Sequence, residues 1–185
     1  MLIKETQVPY IANKVVIDLL NSNFVTFNHG LEKAKNKVEE ILLENVEIER
    51  ELENEIKEII AEQEEENEYM FYDVDRKELF GMLKRKLAKE DGFILNKTDR
   101  LNDLAHKIVE ELWDEELIDY EINDGKMKNI VFNSMNSFIK EKHQIEDIVY
   151  DKLRNYKKDL VPGSEEWELV FTKLYEQELN KRGML

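Results

Sequence analysis

The sequence IANKVVIDLLNSNFVTF, residues 11–27, contains the pattern that decides the fold. Its apolar residues recur every three or four positions, the spacing that places side chains on one face of an α-helix. These residues are Ile11, Ala12, Val15, Val16, Leu19 and Leu20. Pro9 stands just before them, where the first turn of a helix accepts proline. The pattern predicts a first amphipathic helix that ends near Asn21 to Asn23.

A similar pattern occurs 93 residues later in LAHKIVEELWDEELIDY, residues 104–120. The matched pairs are Ala12 with Ala105, Lys14 with Lys107, Val16 with Val109, Leu19 with Leu112 and, after a deletion of two residues, Phe80 with Phe171 and Gly92 with Gly183. Because amphipathic helices can align through periodicity alone, the low identity leaves a chance match open. The shared helix order favours an internal repeat, with residues 1–95 and residues 96–185 as its two units.

The remaining helices are predicted from stripes and caps. A stripe from Leu31 to Ile60 predicts a long second helix. The capping candidates for the later helices are Asp75, Asn96 or Thr98, Asn123 and Ser164, and the helix ends are marked by Gly92 and Gly183. The linking sequence FILNKTD, residues 93–99, begins with apolar residues, which predicts that the halves pack together. The sequence thus predicts an all-α protein of two similar three-helix halves.

The composition limits the possible functions. The 185 residues include no cysteine, so disulfides, thiolate metal sites and cysteine nucleophiles are excluded. The 42 acidic residues outnumber the 27 Lys and Arg residues, which gives a net charge of −15. This charge repels nucleic acid and anionic lipid at long range. No apolar run has the length of a membrane span, so we expect a cytoplasmic protein that does not bind membranes.

Motifs for catalysis or for cofactors are weak. Carboxylate-bridged metal sites in helical bundles use Glu-x-x-His pairs, and the sequence has none. Its nearest approach is Asp103, His106 and Glu110 on one predicted helix face, where His106 is better interpreted as a helix-surface or boundary residue. No serine stands in a GxSxG motif and no glycines form a phosphate-binding loop. We therefore expect no metal, no cofactor and no enzymatic activity.

A basic cluster is the most informative polar feature. Lys84, Arg85, Lys86 and Lys89 precede Gly92, where cations complement the negative end of a helix dipole. The same residues could bind an anion, a nucleic-acid backbone or an acidic partner. Lys181 and Arg182 precede Gly183 in the same way and are the other candidate binding residues. The dipole interpretation and the binding interpretation both remain open.

An acidic segment lies upstream of this cluster. Glu44 to Glu68 contains twelve glutamates, which is typical of a solvated helix face. A calcium loop would need alternating ligands and a glycine, and EQEEENE provides neither. The aromatic run from Tyr69 to Tyr72 then either packs on a bundle or forms an exposed docking segment.

The segment LFGMLKRKLAKEDGFIL, residues 79–95, follows that acidic region and resembles the bacterial family called domain of unknown function 507. Its most specific part runs from Leu83 to Gly92, and the likeness extends over the whole chain. The resemblance implies an elongated, Y-shaped, all-α molecule of helical bundles without an assigned activity. We expect a non-enzymatic interaction or scaffold protein that binds a protein partner through a cleft or arm surface. The alternative is association with nucleic acid or a ribonucleoprotein through Lys84 to Lys89.

Overall fold

The computed structural model describes residues 1–66, 75–156 and 160–182, without the side chain of His143. The described part contains α1 Val8–Asn21, α2 Leu31–Glu66, α3 Arg76–Glu90, α4 Lys97–Asp114, α5 Asp124–Arg154 and α6 Glu165–Lys181. It also contains two short strands, β1 Val25–Phe27 and β2 Ile118–Tyr120, and a turn of 3-10 helix at Glu5–Gln7. The predicted helical class is confirmed, although the all-α prediction missed the strands. The predictions for Tyr69 to Tyr72 and for Gly183 lie outside the described residues.

Local capping signals explain where the helices begin. The Asp75 carboxylate accepts hydrogen bonds from the backbone of Lys77 at 2.8 Å and of Glu78 at 3.2 Å. Asn96, and not Thr98, caps α4, while Asn123 and Ser164 cap α5 and α6 as predicted. These side chains satisfy backbone N–H groups that have no partner within the helix.

The two strands form one antiparallel pair between the predicted halves. Val25 pairs with Tyr120, Thr26 with Asp119 and Phe27 with Ile118. The central pair, Thr26 and Asp119, joins residues that are 93 positions apart. Asn23 and Glu116 are also 93 positions apart, and both adopt the left-handed backbone conformation, with φ angles of 59° and 55°. The order α1, β1, α2, α3 is followed by the order α4, β2, α5, α6.

The helices bury two separate apolar clusters. The main core joins α1, α4, α5, α6 and the first half of α2. A smaller core lies between the second half of α2 and α3, around Leu52, Ile56 and Ala88. Gly92 follows α3 with a positive φ of 71°, which reverses the chain toward α4. The predicted boundary at residue 95 falls in this connection.

Among the helices in the described ranges, none is both long enough and apolar enough to cross a lipid bilayer.

Candidate functional site

The predicted basic cluster is divided by the structure. The Lys84 ammonium points toward α2, with its Nζ 2.7 Å from Glu49 Oε1 and 2.6 Å from Glu53 Oε1. Its side chain is only 16% exposed. Lys84 is therefore neutralised inside the molecule, apart from the rest of the cluster.

The other three cations of this cluster remain on the solvent face of α3. Arg85, Lys86 and Lys89 are exposed, and Met82 beside them is 55% exposed. Their spacing from Met82 is three, four and seven residues, which places all four on one face of the helix. In the part of the chain that the structure describes, no carboxylate lies within ion-pair distance of these three cations. They form the α3 basic face, defined as Arg85, Lys86 and Lys89.

Lys181 and Arg182 lie at the end of a different helix, α6. Lys181 Nζ is 2.7 Å from Glu178 Oε1, and Lys152 pairs with the same carboxylate. The hydrogen bonds from Lys152 and Lys181 lower the pKa of Glu178 to about 2. Arg182 Nη1 lies 3.7 Å from Glu141 Oε2. These two basic residues thus have acidic partners on their own hairpin, unlike the α3 basic face.

A buried ion network joins α2, α3 and α4 around Glu49. Arg100 Nη1 lies 2.7 Å from Glu49 Oε2, and both side chains are 3% exposed. Arg100 Nε also donates to Asn45 Oδ1 at 2.7 Å, and its guanidinium lies 4.5 Å from the centre of the Phe93 ring. Burial alone would raise the pKa of Glu49, but hydrogen bonds from Lys84 and Arg100 lower it to about 2. The network is structural, because its charged groups pair with one another.

A concave surface surrounds Trp113, where α4 ends. Two cavities of about 420 Å³ and 470 Å³ both have Trp113 and Asp114 in their walls. We call them together the Trp113 groove. Its walls include His106, Glu110, Trp113, Asp114, Glu116, Asp119, Tyr120, Asp124 and Lys128. The volume of each cavity suits a few side chains of a ligand or partner.

The aromatic wall of the Trp113 groove is held in place by short contacts. Trp113 is 45% exposed, and its ring centre lies 4.9 Å from that of Tyr120 in an edge-on arrangement. The Tyr120 hydroxyl donates to Asp124 Oδ1 at 3.0 Å; burial, and then this carboxylate, raise the pKa of Tyr120. Asn28 Nδ2 donates to Asp119 Oδ2 at 3.0 Å, which ties the turn after β1 to β2. These contacts hold the side chains that line the Trp113 groove in fixed positions.

The Trp113 groove has a strongly negative lining. The lining residues of the two cavities include five acidic residues, Glu110, Asp114, Glu116, Asp119 and Asp124, and one lysine, Lys128. This ratio of five to one far exceeds the 42 to 27 of the whole chain. The groove therefore attracts cations more strongly than the average surface of this acidic protein.

The weak metal candidate is not assembled in the structure. His106 Nε2 lies 3.8 Å from Glu110 Oε2, but Asp103 lies in the wall of a different cavity. No group of three or more His, Asp or Glu residues within residues 1–66, 75–156 and 160–182 is placed to hold a metal ion. His106 is 55% exposed in its side chain, as expected for a helix-surface residue.

Two features were missed by the sequence analysis. Glu49 stands within the apolar stripe of α2, between Val46 and Leu52, and a charged residue in such a stripe signals a buried ion pair. The second feature, the Trp113 groove, is formed largely by WDEELIDYEIND, residues 113–124, which contains two aromatic residues and six acidic residues. The acidic and aromatic composition of this segment is visible in the sequence, but the ring contact between Trp113 and Tyr120 depends on the turn that lies between them.

Residues 1–184 match a family described as protein of unknown function (DUF507). No curated protein matches the chain at a significant level.

Proposed function

The chain belongs to the DUF507 family, whose function is unknown, and we propose that it is a non-enzymatic helical scaffold that binds a protein partner in the Trp113 groove. One observation carries this proposal: a large aromatic side chain is 45% exposed at the centre of a formed groove. Tryptophan in such a position is the residue type that contributes most often to protein interfaces. A cytoplasmic location is part of the proposal.

In the proposed scaffold, two helical hairpins, α2–α3 and α5–α6, are joined through the main core, to which α1, α4, α5, α6 and the first half of α2 contribute. This would give the Y-shaped outline implied by the family resemblance. The separate small core between α2 and α3 supports a projecting first arm. An internal repeat is part of the same proposal, and the pairing of Thr26 with Asp119 supports it because these residues occupy equivalent positions.

The proposal is tested by capture of partners with a matched pair of variants. Leu20 is 93 residues before Trp113 and is 41% exposed, so L20A removes an apolar side chain at the equivalent position. Wild-type protein, W113A and L20A are used to capture proteins from a lysate of the source cells, and the captured proteins are quantified by mass spectrometry. We expect at least one protein to fall about tenfold with W113A and to be retained with L20A, a loss typical of a tryptophan hot spot. If the three captured sets are the same, the Trp113 groove is not the binding site.

A second candidate function rests on the α3 basic face. Arg85, Lys86 and Lys89 point to solvent without an ion-pair partner in the described chain, so they could bind the phosphates of a nucleic acid. About three phosphate contacts give a modest affinity that weakens with salt. The opposing net charge of −15 makes this the weaker proposal.

This second function is tested by electrophoretic mobility shift with RNA and DNA at low salt. R85E/K86E should abolish any shift given by the wild type. K33E/K57E is the control, because it reverses two exposed lysines on α2 and changes the net charge equally. No shift for the wild type, or equal loss with both variants, would remove this candidate.

A further inference from the structure

We infer that the occupant of the Trp113 groove is a basic segment of the partner protein, with an arginine side chain stacked on Trp113. This inference rests on the proposed function and specifies the chemistry of the partner. It is argued from three independent observations: the charge of the groove, the corresponding surface of the other half, and the way the chain itself packs an arginine.

The first observation is the charge of the groove. Five carboxylates and a single ammonium lie in its walls. Charges in these walls act together on a bound ligand wherever they lie within one Debye length of it, roughly 8 Å at physiological salt. Binding of an acidic or neutral segment would remove water from these carboxylates and give them no cationic partner in its place. A segment with several cations would replace that water with ion pairs to the carboxylates.

The second observation compares the groove with the positions 93 residues earlier. Glu110, Asp114, Glu116, Asp119 and Asp124 correspond to Ile17, Asn21, Asn23, Thr26 and Leu31. All five acidic residues thus have uncharged counterparts, and Trp113 corresponds to Leu20. The general acidity of the chain does not account for this difference, because the same backbone positions in the first half carry no carboxylate. The negative charge and the indole ring occur together in one half only.

The third observation is the packing of Arg100. Its guanidinium lies 4.5 Å from the centre of the Phe93 ring and at the same time donates to Glu49 Oε2 at 2.7 Å. The Trp113 groove offers the same two elements on its surface: an aromatic ring, and carboxylates one residue after it and three residues before it on α4, at Asp114 and Glu110. A planar guanidinium can stack on the ring and still donate to a carboxylate, whereas a lysine ammonium has no flat face to stack. This favours arginine over lysine.

The test uses synthetic peptides and a protein with one tryptophan. W167F leaves Trp113 as the only tryptophan, so its fluorescence reports on the groove. The probes are a short peptide that alternates arginine with serine, the same peptide with lysine, and the same peptide with citrulline, which has the shape of arginine but no charge. Spermine serves as a cation that is not a peptide. Affinities are measured by fluorescence titration and by calorimetry at low and at physiological salt.

We expect the arginine peptide to bind most tightly, the lysine peptide several-fold more weakly and the citrulline peptide without detectable affinity. E110Q/D114N should weaken the arginine peptide about tenfold and reduce the salt dependence. Both residues are exposed, so the variant is expected to fold, which a urea unfolding curve verifies. The control is E55Q/E58Q, which removes the same two charges from exposed positions of α2 and should leave the affinity unchanged.

Several outcomes would overturn the inference. The first is a citrulline peptide that binds as tightly as the arginine peptide. The second is spermine that binds with the same free energy per positive charge as the arginine peptide. The third is an affinity for the arginine peptide that E110Q/D114N and E55Q/E58Q reduce equally. The failure of the inference is distinguishable from that of the proposed function. If captured partners depend on Trp113 but not on Glu110 and Asp114, the groove binds a protein of other chemistry. If W113A changes neither peptide binding nor capture, both proposals are wrong.

Discussion

The two hairpins α2–α3 and α5–α6 are stabilised by different interactions at positions that the proposed repeat makes equivalent. In the first hairpin, the Lys84 ammonium reaches Glu49, which also pairs with Arg100. In the second, the residue 91 positions after Lys84 is Tyr175, whose ring stacks on Phe171 at 5.8 Å. The residue 93 positions after Glu49 is Lys142, which is also buried. The Glu49–Arg100 ion pair joins the first hairpin to α4, and the ring pair of Tyr10 and Tyr175, with centres 6.1 Å apart, joins the second hairpin to α1.

This difference determines how each hairpin responds to change. A buried ion network depends on every partner, because removing one charge leaves another buried and uncompensated. A stack of rings depends on apolar area and loses stability in proportion to the surface removed. The α2–α3 hairpin should therefore be sensitive to charge and pH, and the α5–α6 hairpin to the size of its side chains.

The largest effect is expected for Arg100→Met. The substitution puts an apolar side chain of similar length in place of the guanidinium, and leaves Glu49, which is 3% exposed, with Lys84 and the partly exposed N-terminal ammonium as its cationic partners. Removing one partner of a buried pair costs about 3 to 5 kcal/mol, and we expect R100M to lose an amount in this range in urea unfolding. Gln7, 93 residues earlier, is buried but uncharged. Q7M should therefore cost only about 1 kcal/mol, and equal losses for the two variants would contradict the comparison.

A somewhat smaller effect is expected from acid. Lys84 and Arg100 hold the pKa of Glu49 at about 2, below its ordinary 4.5, against the opposing effect of burial. A carboxylate with a depressed pKa contributes its stabilisation fully above pH 4.5 and loses it as the pH falls toward 2. The difference in unfolding free energy between the wild type and E49Q should narrow by about 3 kcal/mol across this interval.

Glu178 provides the control for this pH dependence in the other hairpin. Its pKa is also lowered to about 2 by Lys152 and Lys181, but the Lys181 side chain is 64% exposed, so water screens that pair. As the pH falls over the same interval, the difference in unfolding free energy between the wild type and E178Q should therefore narrow less than that between the wild type and E49Q. A larger change for E178Q than for E49Q would show that charge does not distinguish the two hairpins.

The third prediction concerns Phe171 and Phe80, which are 91 positions apart. Phe171 stacks on Trp167 with ring centres 5.2 Å apart and packs against the main core. Because Phe171 is only partly buried, F171A should lower the global free energy of unfolding by about 2 kcal/mol, less than a fully buried phenylalanine.

Phe80 belongs to the small core between α2 and α3. F80A should therefore act locally, and it should raise amide hydrogen exchange in α3 more than it lowers the global stability. If F80A and F171A lowered the global free energy of unfolding equally, and F80A left amide hydrogen exchange in α3 unchanged, the first hairpin would not be an independent unit.

The helices could be predicted from the sequence because their signals are local. Pro9 in the first turn of α1, and the caps at Asp75, Asn123 and Ser164, each act within a few residues of themselves. The strands escaped prediction because three residues are too few to show an alternating pattern. Their pairing joins segments that lie far apart in the chain.

The candidate site was less predictable because it depends on distant contacts. Lys84, Arg85 and Lys86 are consecutive in the sequence, but only the position of α2 shows that Lys84 is neutralised by Glu49 and Glu53. Arg100 and Glu49 are 51 residues apart, so their pairing follows from the packing of α4 on α2. Helix periodicity predicts which face a residue occupies but not which charge it meets there.

The smallest effect is expected at Glu116, in the turn before β2. Glu116 has a φ of 55°, and Asn23, which lies 93 residues earlier, has a φ of 59°. Asparagine tolerates this left-handed conformation better than glutamate because its short side chain bonds locally, as Asn23 Nδ2 does to the Asn21 carbonyl at 3.3 Å. We expect E116N to stabilise the protein by about 0.5 kcal/mol in urea unfolding. The reverse substitution, N23E, should destabilise it by a similar amount.

Glu116 also supplies one of the carboxylates of the Trp113 groove, so the same substitution separates stability from binding. Its backbone carbonyl, which accepts a hydrogen bond from Asn28 Nδ2 at 3.0 Å, is retained in E116N. The turn should therefore keep its shape while the groove loses one negative charge. We expect E116N to be more stable and yet to bind the arginine peptide about twofold to threefold more weakly, as measured by calorimetry. A gain in stability with unchanged affinity would mean that this carboxylate does not act on the ligand. A loss of stability would show that the left-handed turn does not favour asparagine in the second half, and that the two turns are not equivalent.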